Sequence, residues 1–221
     1  MSRSTIKCML FDLDGVIVDT AKHHFDAWCD MADELGIALV DSDEEFLKGV
    51  SRVDSLEWIL QKGGLVLDSN TKLALMERKN SRYLRLIGDM GPADILPGAE
   101  EFIRKAIDLG IQIGLGSSSK NAPKILKAIG LEDLFEVVID GNRITLSKPD
   151  PEVFLLGASA FGVAPSECLV IEDAASGVTA GKAGGFLVLG VGSSEVLHEA
   201  DLIVPELKNL SPQQVLDNLC Q

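Results

Sequence analysis

Two aspartates, Asp12 and Asp14, stand two places apart just beyond the apolar run CMLF, and Gly15 follows at once. Residues at i and i+2 of a strand point to the same side, so both carboxylates can converge on one object where the strand ends. Adjacent carboxylates repel and resist desolvation. A divalent cation relieves that cost, because Mg²⁺ takes oxygen ligands from a few carboxylates and keeps positions open for a substrate phosphate. The alternative is an Asx-turn at Asp12-Leu13-Asp14-Gly15 with solvent-facing acids. A second pair, Glu172-Asp173, follows another apolar run, CLVI. Alone it reads equally well as an acidic helix N-terminus, which suits the helix dipole. Two such pairs at two strand ends favour one shared metal.

Two further stretches could meet phosphate. The run IQIGLG opens into Ser117-Ser118-Ser119-Lys120-Asn121. Small hydroxyls and free backbone N–H groups ahead of a helix make a phosphate cradle, or simply an N-cap. Lys148 precedes Pro149-Asp150-Pro151 at another helix start. A lysine there could offset the charge of carboxylates and phosphate, or lie on the surface.

These groups need elements to position them. From Pro97 onward, apolar runs at 111–115, 136–139, 168–171, 186–191 and 202–204 alternate with helical patterns near 99–109, 121–129, 151–161 and 174–184. Phe102, Ala106 and Leu109 trace one face of the first helix, and Pro123 suits the first turn of the second. The stretch 137–146 is expected to return as an edge hairpin or loop. Residues 6–11 supply one more strand. The alternation predicts an α/β fold, a mostly parallel sheet covered by helices.

Between residue 18 and residue 93 the pattern is helical only, over 22–36, 42–48, 52–62 and 69–87, with turn signals at Gly63-Gly64 and 88–92. His24, Trp28 and Met31 form an i, i+4, i+7 stripe. In the last helix Leu73, Met76, Tyr83, Leu84 and Ile87 surround a charged centre, ERKN, whose default surrounding is solvent. The chain therefore divides into 1–17 and 94–221, forming the core, and a helical insertion over 18–93. Ligands of open α/β sheets bind beyond the carboxyl ends of the strands, so the insertion would sit over the site as a lid.

Composition agrees with a folded enzyme-sized unit. The 221 residues are 46% hydrophobic, with a mean hydropathy of +0.20, enough for a sizeable core. Twenty basic against 34 acidic residues give a formal charge of −14, a surface that repels nucleic acid and anionic membrane. An anionic substrate must then be met by local positive charge, a metal or backbone N–H groups. Cys8, Cys29, Cys168 and Cys220 have neither metal-ligand nor redox-motif spacing. Cys8 and Cys168 sit in strand-like runs as small hydrophobes. The start MSRSTIKCMLF does not resemble a signal peptide, and a reduced, cytoplasmic protein is expected.

Taken in order, DxDG, a strand ending in serines, a lysine before a helix and a strand ending in an acid pair resemble the four motifs of the haloacid dehalogenase superfamily. The resemblance spans Asp12 to Asp173 and covers essentially the whole chain. It implies a Rossmann-like core, an inserted helical cap and a Mg²⁺-dependent aspartyl-phosphate mechanism. Asp12 would be the nucleophile. Asp14 would be the general acid/base and lend its main-chain carbonyl to the metal. Asp173 would complete the protein ligands with Glu172 binding or supporting it, Ser117 would hold the transferring phosphoryl group, and Lys148 would balance charge.

Four segments, FDLDGVIVDTAKHHFDAW, LKGVSRVDSL, ERKN and GSSSKN, resemble the β-phosphoglucomutase branch of that superfamily. This implies interconversion of β-glucose 1-phosphate and glucose 6-phosphate, with one Mg²⁺ per subunit and priming by β-glucose 1,6-bisphosphate. Arg52 would grip the distal, non-reacting phosphate, with Ser119, Lys120 and Asn121 serving it from the core and Ser118 beside them. His24 would hydrogen-bond Asp14 as the cap closes, Thr20 would lie in the hinge, and Lys79 would reach in from the cap. Trp28, Val50 and Ser55 would shape the sugar pocket, with Gly49 in the cap loop. A small sugar phosphate would be the only partner of a monomeric enzyme. A sugar-phosphate phosphatase of the same fold is the rival reading.

Overall fold

The computed structural model describes residues 6–219. The reading of the chain start falls partly, and that of Cys220 wholly, outside the described residues. Six strands, β1 (Cys8–Phe11), β2 (Gln112–Gly116), β3 (Val137–Ile139), β4 (Cys168–Glu172), β5 (Leu187–Val191) and β6 (Leu202–Val204), form one sheet in the order β3-β2-β1-β4-β5-β6. Every pairing is parallel. Each strand is apolar on both faces, which is what a sheet covered on both sides requires.

Alternation along β1 shows the two layers. Met9 and Phe11 join Phe102, Ile103, Ile125 and Val215, carried by α5 (Ala99–Asp108), α6 (Ala122–Ile129) and α9 (Pro212–Leu219). Cys8 and Leu10 face the other way, onto Val153 and Phe154 of α7 (Glu152–Phe161) and Val178 of α8 (Ala175–Ala183). Cys8 lies opposite Cys168, and both are fully buried as free thiols, in keeping with their reading as small hydrophobes.

The remaining helices, α1 (Ala21–Glu34), α2 (Glu44–Leu47), α3 (Arg52–Lys62) and α4 (Ser69–Leu86), lie between β1 and β2 in sequence. They bury a cluster of their own around Trp28, Met31, Leu56, Ile59, Leu60 and Leu75. Ser51 caps α3 by accepting the Asp54 N–H, and Asp68 caps α4 through the N–H groups of Asn70 and Thr71. The chain enters and leaves this insertion side by side: Leu96 N–H donates to the Ile17 carbonyl at 2.8 Å, and Val18 bridges Ile95. Among the described residues no helix is long and apolar enough to cross a membrane.

Four details depart from the sequence expectations. Leu109 is half exposed, because the chain leaves α5 there and turns at Gly110, so it does not continue the Phe102–Ala106 face. Leu73 also points outward; the buried stripe of α4 is Leu75, Lys79 and Tyr83, at i, i+4 and i+8. The run 42–48 splits into a tight turn over Asp41–Asp43 and the single turn of α2. The fourth departure is α9, which closes the fold where no element was expected, whereas after β3 the chain continues as a loop, one of the two expected forms.

Candidate active site

Register brings the acids together. Phe11 is level with Leu115 on one side and Ile171 on the other, so Asp12, Ser117 and Glu172 emerge at the same edge of the sheet. β1 leads to neighbours on both sides, which opens a crevice at its carboxyl end. Gly15 turns the chain away with φ +83°, and a Cβ there would overlap the Asp173 carboxylate. Gly177 in α8 gives the same room to the Glu172 carboxylate. Asp12, Glu172 and Asp173 each present an oxygen within 4.8 Å of the others.

Lys148 is completely enclosed and donates to Asp12 Oδ1 at 2.5 Å and to Glu172 Oε1 at 2.6 Å. Burial works against its ammonium, yet the two carboxylates outweigh burial and its pKa is raised. One cation does not balance three acids. Burial and the neighbouring Asp12 push Glu172 up to about 7 despite Lys148, and burial, Glu172 and Asp12 push Asp173 well above the usual carboxylate range. Three converging oxygen donors with surplus negative charge fit a hard divalent cation.

Asp14 leaves this trio. Its Oδ1 accepts the hydroxyl of the buried Thr20, the residue preceding α1, and lies 3.9 Å from His24 Nε2. Burial and the Asp12 charge raise its pKa to about 6, against the pull of Thr20, Lys148 and Lys79. His24 stacks on Tyr83 with ring centroids 3.8 Å apart, and its Nδ1 is 2.7 Å from Lys79 Nζ. Glu77 and Arg78 of the ERKN segment face solvent as its composition suggests, but Lys79 is only 3% exposed and lies over the Trp28 ring. Burial, then the Arg52 charge, depress its pKa to about 7.

A cavity of about 500 Å³ separates the sheet edge from the insertion. It is lined by Asp12, Asp14, Asp173 and Ser117 to Lys120 from the core side, and by His24, Trp28, Gly49, Val50, Arg52, Ser55 and Lys79 from the insertion. Lys148, Glu172 and Thr20 stand behind this lining, each bonded to an acid in it or beside it. The Ser117 hydroxyl accepts the Ser119 N–H at 3.1 Å. Ser118 instead donates to the Gly49 carbonyl at 2.7 Å, tying the α2–α3 loop to the core. Asn121 does not line the cavity; its side-chain amide donates to Asn80 Oδ1 at 2.9 Å.

Several residues here escaped the sequence reading. Asn80 accepts from both Arg52 and Asn121. Asp54 accepts the Ser147 hydroxyl at 2.5 Å, and Ser176 donates to the Lys48 carbonyl at 3.0 Å, so serines of the core hold the insertion at three places. Tyr83 supplies the face on which His24 rests. The S-x-x-D spacing of Ser51 and Asp54 does mark a helix start, but not the second partner across the cavity.

The parallel sheet and its acid-lined edge are those of a known class. The haloacid dehalogenase-like hydrolase model matches residues 6–185, and the chain belongs to that family. More narrowly, the chain is 41% identical over 208 residues to the β-phosphoglucomutase of Bacillus subtilis (strain 168), covering 93% of this chain and 92% of that protein. It superposes on the crystal structure of β-phosphoglucomutase from Clostridium difficile with a TM-score of 0.94 at 37% identity, covering 98% of each chain. Hexitol phosphatase A of Escherichia coli (strain K12) is 30% identical over 209 residues, 93% of both chains.

Proposed function

We propose that the protein is a β-phosphoglucomutase, interconverting β-D-glucose 1-phosphate and D-glucose 6-phosphate. The observation that carries this reading is a cavity served at two places by separately supported cationic groups. Lys148 stands behind the acids of the sheet edge, whereas Arg52 lines the cavity itself and is joined through Asn80 to Asn121. A mutase must hold two phosphates at once, and a monoester phosphatase needs to hold only one.

Asp12 attacks phosphorus and forms an acyl phosphate while the P–O bond to the sugar breaks. Asp14, with a pKa near 6, first gives its proton to the departing sugar oxygen and then takes one from the hydroxyl that attacks the phosphoaspartate. Ser117 and Lys148 hold the transferring group. A Mg²⁺ ion, one per chain, held by Asp12, Glu172, Asp173 and the main-chain carbonyl of Asp14, would offset the repulsion between phosphate and carboxylates.

β-Glucose 1,6-bisphosphate primes Asp12 and is regenerated in each cycle as the sugar turns over. Arg52, Ser119 and Lys120 hold the phosphate that is not reacting, with Asn121 behind them on Asn80. The insertion over 18–93 acts as a cap that excludes water, so that a sugar hydroxyl collects the phosphoryl group. Thr20 sits at its hinge, and Trp28, Gly49, Val50 and Ser55 shape the sugar pocket. We read the enzyme as a monomer acting on a small sugar phosphate, and the −14 charge disfavours nucleic acid.

The test is Arg52→Ala. Isomerisation should fall about 100-fold or more while hydrolysis of a small acyl phosphate, which has no distal phosphate, stays within about twofold. Equal retention of both activities would reject the two-phosphate reading.

A further inference from the structure

Asn80 Oδ1 accepts two hydrogen bonds, from Arg52 Nη2 at 2.7 Å and from Asn121 Nδ2 at 2.9 Å. The three residues come from three elements: Arg52 opens α3, Asn80 lies in α4, and Asn121 is the residue before α6 in the core. They are 28 and 41 positions apart, so the tertiary fold alone assembles them. Among the described residues Arg52 makes no ion pair with a carboxylate. Burial lowers its pKa from the ordinary arginine value, without taking it out of the charged range. In a chain with 34 acids, a neutral partner for this half-buried guanidinium is the informative feature.

We propose that Asn80 is a positioning residue that, anchored to the core by Asn121, aims Arg52 at the distal phosphate of the sugar bisphosphate. The proposal rests on the reading that Arg52 receives that phosphate. A carboxyamide oxygen has two lone pairs, and both are used here. It therefore fixes one N–H of the guanidinium against the anchoring Asn121 amide, leaving the other guanidinium N–H groups for an anion. Because it carries no charge, it orients the guanidinium without neutralising it. A carboxylate in its place would hold Arg52 more tightly and repel the incoming dianion. The clasp also joins cap to core, so the distal subsite is complete only when the two are together.

Asn80→Leu keeps the side-chain size and removes the acceptor; Asn80→Asp keeps the acceptor and adds charge. With β-glucose 1-phosphate and catalytic β-glucose 1,6-bisphosphate, both variants should lose roughly 10–100-fold in kcat/KM for isomerisation. The Asp variant should show the larger rise in KM for the bisphosphate. Hydrolysis of acetyl phosphate should stay within about twofold in both, which separates misaiming from misfolding. Isomerisation by Asn80→Leu within about twofold of the parent, or parallel loss of both activities in the two variants, overturns the proposal. Arg52→Ala distinguishes the layers. If it impairs isomerisation while Asn80→Leu does not, only the Asn80 proposal fails. If it impairs nothing, the two-phosphate reading has failed beneath it.

Discussion

Lys79 Nζ lies 2.7 Å from His24 Nδ1, on the side of the ring opposite Nε2, which is 3.9 Å from Asp14 Oδ1. In its ammonium form Lys79 only donates, so Nδ1 then accepts and the ring proton sits on Nε2, facing Asp14. Burial, Lys79 and Arg52 hold the His24 pKa well below its usual value, which keeps the ring neutral. Charged Lys79 thus selects the tautomer that can support Asp14.

That burial has a pH signature in stability. The Lys79 pKa is about 7 when folded and near its ordinary 10.5 when unfolded. Between these values the unfolded chain binds the extra proton, so this contribution makes stability rise with pH, and the full penalty is present below about 7. Lys79→Met should therefore gain on the parent by roughly 3–5 kcal/mol more at pH 6 than at pH 10 in ligand-free urea unfolding. A difference that does not change with pH would contradict the buried ammonium.

Asp14→Asn should separate the two proton steps from nucleophilic attack. Isomerisation is expected to fall roughly 10²–10⁴-fold, the usual worth of a positioned acid/base. Asp12 should still take a phosphoryl group from acetyl phosphate, because acetate leaves without a proton. The phosphoenzyme should then persist, since no base activates its acceptor. Intact mass spectrometry reads this directly, and failure to accumulate phosphorylated protein would argue against the assigned role.

The acid trio predicts coupling between metal and stability. Saturating Mg²⁺ at about 100 times its dissociation constant should stabilise the parent by about 2.7 kcal/mol. Asp173→Asn should lose most of that gain, while its metal-free stability should equal or exceed the parent's, because one buried repelling acid is gone. Thermal unfolding with Mg²⁺ and with a chelator checks both signs.

Gly177→Ala tests the packing behind the metal. Replacing an interior helical glycine with alanine ordinarily stabilises a helix by about 1 kcal/mol. Here the added methyl would overlap the Glu172 carboxylate, which holds Lys148 and the N–H groups of Asp173 and Ala174. The variant should instead be destabilised by about 1–3 kcal/mol, and Mg²⁺ binding should weaken. A stabilised variant with unchanged metal affinity would show that Glu172 can move freely.

The parts of the fold legible from sequence were those with local periodicity. Every strand of the sheet and the three longer helices of the insertion appear near their expected places because apolar runs and 3.6-residue patterns are local signals. The acids were legible because each pair closes a strand, and strand ends share one edge in a parallel sheet. Lys79 and Asn80 were not. Their charged and polar neighbours suggest solvent, and only the packing of α4 against α1 and α3 turns them inward. Ser147 and Asp54, like Asn80 and Asn121, are bonded across the cavity, a relation with no trace in spacing.

The most direct test of mutase action follows ³¹P resonances of β-glucose 1-phosphate with Mg²⁺ and catalytic β-glucose 1,6-bisphosphate. Conversion to glucose 6-phosphate with negligible inorganic phosphate is the predicted result. Inorganic phosphate as the main product, with no glucose 6-phosphate, would contradict it and make the protein a phosphatase of the same family.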